Sequence, residues 1–436
     1  MQQSHPEIVA AASKLIVSML GAEVKGGVDG FECLLRKLLR DIGRDTEEQL
    51  LAIRGAEVSK AAEAEGLVVQ RRPEVPFEGL FGRMKVESPY LWSKAQRRGA
   101  RPVQDELGVV ARGRSEQVKR ALVDFGSEES FEGATKRFKE HYGWSIGRTS
   151  VLRIVEDVAK EAEVFVKQKL ANARQEFDQP SAQRPGAEQI LVELDGCEIR
   201  TGELKPAPEL GKTTVRQQDK HRRETAWRDV RMGLARRLDE VEPTYVGKLS
   251  QYDEVVSDLF GAACLHGLSS TTQTVACTDG GNGIREEIEA QLPRVRYILD
   301  RAHAKSHVYE TADAMVLKEP VREEWVTLQM ARMDDGKVDL TLSELSHHRG
   351  RGKARAQRLH GYLTRFKDAV HYAEFRRAGL PIGSGEIESA HRSIPQKRLK
   401  LPGTWWRKET INPMLSLRLI RANGWWSDFW KNRAVA

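Results

Sequence analysis

The sequence comprises 436 residues, of which 40% are apolar and 31% are charged, as in ordinary globular proteins. A chain of this length exceeds what one compact core usually holds, so it predicts two to four structural units. No run approaches the roughly 18 apolar residues that cross a membrane, and no secretion signal is recognisable, so we expect a cytoplasmic protein with no membrane partner. The four cysteines form no CxxC pair, which argues against a disulfide framework or a cysteine zinc site.

The net charge of +7 is concentrated near the carboxyl terminus. From His391 to the last residue, ten Lys and Arg side chains are balanced by only two Asp and Glu. A local cationic surface indicates a polyanionic partner, and DNA is the usual one.

The first hundred residues predict helices followed by a small β-hairpin. Apolar residues recur at helical spacing over 8–19 and 31–42, and a Glu-rich helical stretch follows over 46–65. Over 76–92, aromatic and aliphatic residues alternate with glycines, which predicts the hairpin. We treat residues 1–100 as one N-terminal region, and no motif in it indicates chemistry.

Residues 101–170 predict a helix-turn-helix. Ala134 and Phe138 face a core from the first helix, Gly143 makes the turn, and residues 145–153 form an exposed second helix. Two interpretations stay open: this pair contacts DNA, or it packs helix against helix with no DNA contact.

Within residues 186–310, three strand-like runs end in an aspartate, at Asp195, Asp279 and Asp300. Glycines after the first two predict the ends of those strands. Ligands bind at the carboxyl ends of the strands in open α/β sheets, so this pattern predicts an α/β core with three carboxylates at one edge. A basic, polar excursion, residues 202–247, follows the first strand.

The last two segments predict a helical insertion, residues 311–378, and a final part of the core, residues 379–436. The final part begins with a short helix that carries Glu386 and Glu388. These two positions differ by about 200° around a helix, so both cannot face one site. Glu388 shares its side with His391 and Glu386 lies roughly opposite, so one of them is a candidate ligand and the other is expected to be solvated.

Three converging carboxylates suit the chemistry of phosphodiester cleavage. Attack by water or by a 3′-hydroxyl requires charge neutralisation at the attacking and leaving oxygens, and two Mg²⁺ ions about 3.5–4 Å apart provide it. Mg²⁺ prefers oxygen ligands and keeps several waters, so a few carboxylates suffice.

The same segments carry a family resemblance. They are residues 194–196, 278–284, 298–303, 382–403, 411–415 and 423–426. From about Arg101 onward the chain resembles insertion-sequence transposases of the ISKra group, DDE enzymes distantly related to Mutator-like transposases. The resemblance implies an RNase H-like catalytic domain within an α/β plus α fold. It also implies excision and insertion of a DNA element, double-stranded DNA as the partner, and a homo-oligomer.

The family's metal triad of two Asp and one Glu can be placed on this chain. The first Asp falls on Asp195 and the Glu on Glu388. For the second Asp, Asp279 fits the related pattern, while Asp300 with His303 matches the accompanying Asp-x-x-His signature. We choose Asp279, with Mg²⁺ or Mn²⁺ as the cofactor, and keep Asp300 as the alternative. The supporting residues are Asp300, His303 and His391.

His303 and His307 are one helical turn apart, a spacing that can bind zinc. Residue 304 is Ala, however, where a hydrolytic zinc motif requires an acidic residue. We therefore favour a structural role for these histidines over zinc binding. The resemblance implies that His303 orients DNA or a ligand carboxylate.

Cations and aromatic residues alternate directly after the triad helix. The candidate DNA-binding residues are Arg392, Lys397, Arg398, Lys400, Arg407 and Lys408. Aromatic residues can stack on unpaired bases, but they can equally close a core. For the tryptophans between Trp405 and Trp430, we expect several to be core residues.

Residues 210–214 are similar to a phosphate-binding loop, but Pro206 stands where that motif needs Gly. We therefore predict no nucleotide cofactor. Two other functions stay open beside the transposase: a non-catalytic DNA-binding protein derived from one, and a nuclease of the same fold without strand transfer.

Overall fold

The computed structural model describes residues 5–20, 27–179, 186–206 and 221–435. The chain divides into two compact units, Met1–Val155 and Glu156–Ala436. The segment 210–214, for which we predict no nucleotide binding, lies outside the described residues. None of the helices in the described ranges is long and apolar enough to cross a membrane.

The first unit combines helices with two small sheets. Its helices are α1 (Pro6–Leu20), α2 (Val28–Ala64), α3 (Pro102–Leu107), α4 (Glu116–Glu128) and α5 (Phe131–Tyr142), and α6 (Arg148–Gln175) continues from this unit into the second. Its strands are β1 (Val68–Arg71), β2 (Glu74–Gly79), β3 (Gly82–Glu87), β4 (Tyr90–Ser93), β5 (Arg98–Ala100) and β6 (Gly113–Arg114). The predicted hairpin is confirmed as β2 and β3, and its apolar face, with Phe77 and Val86, packs in a core with Val58 of α2.

The two helices predicted over residues 130–153 are present, but the second begins at Arg148 and continues to Gln175. Ser130 caps α5, because its hydroxyl accepts a hydrogen bond from the Gly133 amide at 3.0 Å. Gly143 ends the helix with φ of 73°, a left-handed conformation that costs glycine little. Ala134 and Phe138 are fully buried, as the sequence predicts. Contact of this helical pair with DNA stays a prediction.

The second unit is built on a five-stranded mixed sheet. Its strands are β7 (Gln189–Pro206), β8 (His221–Arg237), β9 (Thr244–Lys248), β10 (Gln273–Thr278) and β11 (Val295–Leu299). Their order is β11-β10-β7-β8-β9, in which β7, β8 and β9 are antiparallel neighbours and β7, β10 and β11 run parallel. The chain is therefore a mixed α/β protein, as predicted.

Helices cover both faces of this sheet. The helices that follow α6 in this unit are α7 (Tyr252–Leu265), α8 (Ile284–Gln291), α9 (Arg301–Ala314), α10 (Val321–Asp334), α11 (Val338–His347), α12 (Lys353–Arg365), α13 (Tyr372–Arg377), α14 (Gly385–His391), α15 (Lys397–Leu399), α16 (Lys408–Ala422) and α17 (Trp426–Val435). Gly233 of β8 meets Leu259 of α7, whereas the cross-strand pair Met232 and Gly247 meets Leu415 of α16. Neighbouring residues of a strand point to opposite faces, so α7 and α16 lie on opposite sides of the sheet.

The first strand of this sheet does not end where the sequence predicts. β7 continues past Asp195 and Gly196 to Pro206, paired with β8 along its whole length. Gly196 pairs with Arg231 in the ladder, and a Cβ at this position would be 2.6 Å from Asp229 Oδ1, so the site has little room for a side chain. Asp195 therefore lies within a strand and not at its end. The other two strands do end directly before Asp279 and Asp300.

The predicted helical insertion is helical throughout much of its length, with α10 to α13 inside residues 311–378. Most of the predicted core tryptophans are buried: Trp406, Trp425, Trp426 and Trp430. The predicted domain boundaries at 100, 170, 310 and 378 stay predictions.

Candidate functional site

Three neighbouring parallel strands bring the three predicted aspartates into one row. Leu194 of β7 pairs with Thr278 of β10, which pairs in turn with Leu299 of β11. The next residues along these strands are Asp195, Asp279 and Asp300. Because adjacent strands lie about 4.8 Å apart, the three residues follow one another along one edge of the parallel part of the sheet.

The pKa of Asp195 depends on its burial and on the charges of its neighbours in the site. Asp195 is half-buried, and its Oδ1 accepts a hydrogen bond from the Gly196 amide at 2.7 Å. Its pKa is raised to about 6, mainly by burial and to a lesser extent by the charges of Asp279 and Glu388, while the Gly196 amide and the charge of His303 oppose the rise. Asp279, Glu388 and His303 are therefore all near enough to act on the charge of Asp195.

Asp279 is held at the turn that follows β10. Its Oδ1 accepts a hydrogen bond from the Gly281 amide at 2.9 Å, and its carbonyl accepts one from the Tyr362 hydroxyl at 2.8 Å. Gly280 has φ of 75°, and a Cβ there would lie 2.6 Å from Leu299 Cδ1, so the turn requires glycine. Oδ2 of Asp279 accepts no hydrogen bond from the part of the chain that is described.

Asp300 is buried and fully hydrogen-bonded. It caps α9, because Oδ1 accepts from the His303 amide at 2.8 Å. Its Oδ2 accepts from both the amide and the hydroxyl of Ser384, at 2.6 and 2.8 Å. Asp300 thus joins the start of α9 to the segment that precedes α14. Both of its oxygens are committed to these bonds, so the geometry favours Asp279 over Asp300 as a cation ligand.

Helix α14 is held against the sheet by a buried glutamate that the sequence analysis did not identify. Glu193 Oε2 accepts a hydrogen bond from the Ile387 amide at 2.8 Å, and the side chain is almost fully buried. Burial is the main reason that the pKa of Glu193 is raised to about 8. The signal in the sequence is an acidic residue inside an otherwise apolar strand, two residues before Asp195.

Helix α14 presents its two glutamates to different partners. Glu388 Oε1 lies 3.8 Å from His303 Nε2, on the side of the aspartates. Glu386 instead forms a two-point ion pair with Arg236 of β8, with Nε–Oε2 and Nη2–Oε1 distances of 2.9 and 2.5 Å. The side chain of Glu386 is 41% exposed, so it is partly solvated, and it is also bound by a cation from the neighbouring strand.

His391 lies beside Asp195 at the end of α14. Its Nε2 is 3.6 Å from Asp195 Oδ2, and this nitrogen is buried with no hydrogen-bond partner among the described residues. Burial and, to a lesser extent, the charge of Lys400 lower the pKa of His391 to about 4. The imidazole is therefore neutral at pH 7, so the contact with Asp195 is not an ion pair.

These residues fit a divalent cation in donor type and charge. Asp195, Asp279 and Glu388 offer carboxylate oxygens, which Mg²⁺ and Mn²⁺ prefer, and their mutual repulsion is of the kind that a cation relieves. Across the described ranges, no three His, Cys, Asp or Glu side chains are close enough together to hold one ion. The carboxylates therefore converge without forming a tight three-ligand cage.

His303 and His307 face different partners, although they are one helical turn apart. His303 faces Glu388, whereas His307 Nδ1 lies 2.9 Å from Arg355 Nη2, and its ring packs on Tyr362. Burial and the charge of Arg355 lower the pKa of His307. These contacts suit structural and orienting roles.

The candidate DNA-binding residues are exposed, with one exception. Arg392, Lys397, Lys400, Arg407 and Lys408 are exposed. Arg398 is 2% exposed, its guanidinium lies 4.8 Å from the centre of the Trp406 ring, and burial lowers its pKa to about 10. The prediction that Arg398 contacts DNA is therefore wrong: the sequence shows a run of cations but not which of them turns into the core.

Comparisons with known proteins give little support to any family. No protein-family model matches the sequence, and no curated protein matches it. Among solved structures, the Drosophila P element transposase strand transfer complex is similar over 76% of this chain and 82% of that chain, with 8% identity and a TM-score of 0.25. At this TM-score the similarity establishes neither a shared fold nor a shared function. The function must therefore be argued from the residues of the chain itself.

Proposed function

We propose that this chain is a DNA transposase that cleaves and joins DNA at the ends of an insertion sequence. The observation that carries the proposal is the convergence of Asp195, Asp279 and Glu388 at one edge of the sheet, from strands and a helix far apart in sequence. The sequence resemblance to ISKra-group transposases places the first Asp of the metal triad at Asp195 and the Glu at Glu388. It leaves Asp279 and Asp300 as candidates for the second Asp, of which we choose Asp279.

The sheet supports the RNase H-like part of the proposal. That fold has three antiparallel strands followed by two strands parallel to the first, in the order 3-2-1-4-5. The strands β7 to β11 have this order and these directions. The first and second aspartates then stand on the first and fourth strands of the core, and the glutamate stands on a later helix.

In this proposal each residue near the edge has a definite task. Bound Mg²⁺ or Mn²⁺ supplies charge neutralisation at the attacking and leaving oxygens of the phosphodiester. Asp195, Asp279 and Glu388 would hold the ions through their carboxylate oxygens. His303 and His391 limit the orientations of Glu388 and Asp195, and Asp300 and Glu193 fix the position of α14 by hydrogen bonds to Ser384 and Ile387. The latter two act as positioning residues.

The partners follow from the same proposal. Double-stranded DNA is the substrate, and the exposed cations after α14 neutralise its phosphates. The resemblance implies that the protein works as a homo-oligomer in the cytoplasm, associated with the nucleoid while it is bound to DNA. No nucleotide cofactor is needed, because phosphodiester exchange by water or a 3′-hydroxyl consumes none.

A cleavage assay in the presence of Mg²⁺ tests the proposal. Its substrate is a DNA duplex that carries the sequences flanking the gene. We expect Asp195→Asn, Asp279→Asn and Glu388→Gln each to reduce cleavage on the order of 100-fold or more, with DNA binding retained. Glu386→Gln is the matched control, because it lies on the same helix but binds Arg236. Circular dichroism establishes that each variant is folded.

Two outcomes would overturn the assignment. If Glu388→Gln cleaves normally and Glu386→Gln loses cleavage, Glu388 is not the metal ligand. DNA binding without Mg²⁺-dependent cleavage in the unaltered protein would favour a non-catalytic DNA-binding protein, and cleavage without strand transfer would favour a nuclease.

A further inference from the structure

We infer that the far half of the β7–β8 hairpin binds unpaired DNA through Trp227. We call this part the hairpin arm and define it as residues 198–206 and 221–229. The inference rests on the proposed function, because it takes DNA as the partner, but it concerns a surface separate from the carboxylates. Its main observation is a tryptophan that is 60% exposed in the middle of a regular strand.

The hairpin arm is a paired ribbon and not a loose loop. β7 and β8 stay in register beyond Asp195, from Gly196 with Arg231 to Pro206 with His221. A third segment joins its edge: the Gly202 amide donates to the Trp406 carbonyl at 2.9 Å, and the Trp406 amide donates to the Arg200 carbonyl at 3.0 Å. The backbone of the arm is therefore held in a regular ladder, which sets the face on which each side chain lies.

One face of the arm carries two indole rings. Arg200 lies opposite Trp227 in the ladder, and Gly202 lies opposite Thr225, so these four residues share a face. Gly202 has no side chain, and Trp405 occupies the space: a Cβ at this position would be 2.6 Å from Trp405 Cε3. The two rings are thus about 7 Å apart along the strand direction.

Cations flank both rings. Arg223 lies with its guanidinium 4.9 Å from the centre of the Trp405 ring. Arg200 is exposed beside Trp227 and has no ion pair with any residue in the described ranges. The acidic pair Glu198 and Asp229 lies at the end of the same face that is nearest to Asp195. The face is therefore cationic around the rings and acidic only toward the catalytic edge.

This combination identifies the chemistry of the partner. A single exposed apolar residue needs no explanation, but two indoles on one face of a ribbon, each with an arginine beside it, match the way proteins bind single strands. Bases stack on the aromatic rings, and arginines neutralise the phosphates between them. Paired bases in a duplex do not offer their faces to such a ribbon. The face therefore suits the unpaired nucleotides at a cleaved or distorted DNA end.

Fluorescence anisotropy in EDTA tests the inference with the full-length protein. The probes are a fluorescein-labelled single-stranded oligonucleotide and the blunt duplex of the same sequence. We expect Trp227→Ala to weaken binding of the single strand about 10-fold and to change duplex binding much less. Trp227→Phe should retain most of the affinity, because a phenyl ring still stacks. Leu328→Ala, at an exposed apolar position of α10, is the control and should bind both probes normally.

Three results would overturn the inference: normal single-strand binding by Trp227→Ala, an equal loss for both probes, or a change in oligomeric mass in place of a change in DNA affinity. The assay contains no divalent metal, so its outcome is independent of cleavage. If the carboxylate variants lose cleavage but Trp227→Ala binds the single strand normally, the proposed function stands and only the role of the hairpin arm is excluded. If Trp227→Ala binds the single strand weakly but Asp195→Asn cleaves DNA normally, the role of the hairpin arm stands and only the proposed active site is excluded.

Discussion

Asp279 and Asp300 occupy neighbouring positions at the edge of the sheet but have different surroundings. Asp300 accepts three hydrogen bonds from two segments, while the Asp279 side chain accepts one, from the amide of its own turn. A carboxylate has about four acceptor sites, so Asp300 keeps fewer of them for a ligand than Asp279 does. We therefore propose that Asp300 mainly fixes the framework and that Asp279 is the cation ligand.

We predict that Asp300→Ala lowers the free energy of unfolding by about 1 to 3 kcal/mol, because it leaves buried donors on His303 and Ser384 unpaired. Cleavage should also fall, because the segment before α14 loses its anchor. Asp279→Ala is the matched comparison and should lose cleavage with little loss of stability. Urea denaturation measures the difference, and equal stability of the two variants would contradict this division.

Arg398 and Lys400 form a second contrast, between two cations of one short run. Arg398→Ala should lower the free energy of unfolding by about 2 to 4 kcal/mol, since a large buried side chain packed on Trp406 is lost. Lys400→Ala removes an exposed side chain and should change stability by less than about 0.5 kcal/mol. In an anisotropy titration with duplex DNA, only Lys400→Ala should weaken binding while the fold stays intact. An unchanged melting curve for Arg398→Ala would contradict its placement in the core.

At the scale of elements, local patterns predicted the helices and several strands correctly. β10 and β11 are short apolar runs that end at Asp279 and Asp300, and β2 and β3 alternate around glycines, so each is visible in its own sequence. β7 was predicted only as far as Asp195. Beyond that residue its buried positions, such as Ile199, alternate with charged ones, and only pairing with β8 makes this stretch a strand.

β8 and β9 were missed for a related reason. Much of β8 is charged, so it lacks an apolar run, and its stability comes from the ladder with β7 on one side and β9 on the other. The contacts that support the candidate site also cannot be predicted from local sequence patterns. Glu193 and Ser384 are far apart in sequence from the groups they bind, so their roles depend on which helix packs on which strand. The aspartate row, by contrast, follows from parallel strands alone.

His266 links two of these elements and makes the unit sensitive to acid. It ends α7, and its Nε2 lies 3.0 Å from Thr244 Oγ1 at the start of β9. Burial, with smaller contributions from the charges of Arg237 and Arg236, lowers its pKa to about 4. A lowered pKa means that the folded state disfavours the proton. The contribution of neutral His266 to stability is therefore present above pH 6.5 and is lost as the pH falls toward 4.

We predict that His266→Gln flattens this part of the pH dependence. Between pH 7 and pH 4.5, the unaltered protein should lose roughly 2 to 3 kcal/mol more unfolding free energy than the variant, because Gln does not titrate. Urea denaturation of both proteins at the two pH values measures the difference. Parallel losses in the two proteins would show that His266 is not the group responsible.

At the scale of the whole molecule, the amino-terminal helices expose an unusual amount of apolar surface. No residue of α1 is buried, and its exposed apolar residues include Ile8, Leu15 and Met19. In the first half of α2, residues 28, 31, 35, 38 and 42 are apolar at alternating spacings of three and four. This is the heptad spacing with which helices pair in a coiled coil. A face of this kind supports the proposed homo-oligomer, and we propose it as the surface on which two copies pair.

The oligomeric mass of the full-length protein provides the test. We expect light scattering after size exclusion to give at least twice the mass of one chain. Leu35→Glu should shift the protein toward the monomer, because it places a charge on each side of the helical seam. Val241→Glu, at a strongly exposed apolar position of the second unit, is the control and should leave the mass unchanged. A monomeric unaltered protein, or an unchanged mass for Leu35→Glu, would show that these helices do not join two copies. Their exposed faces would then require another partner.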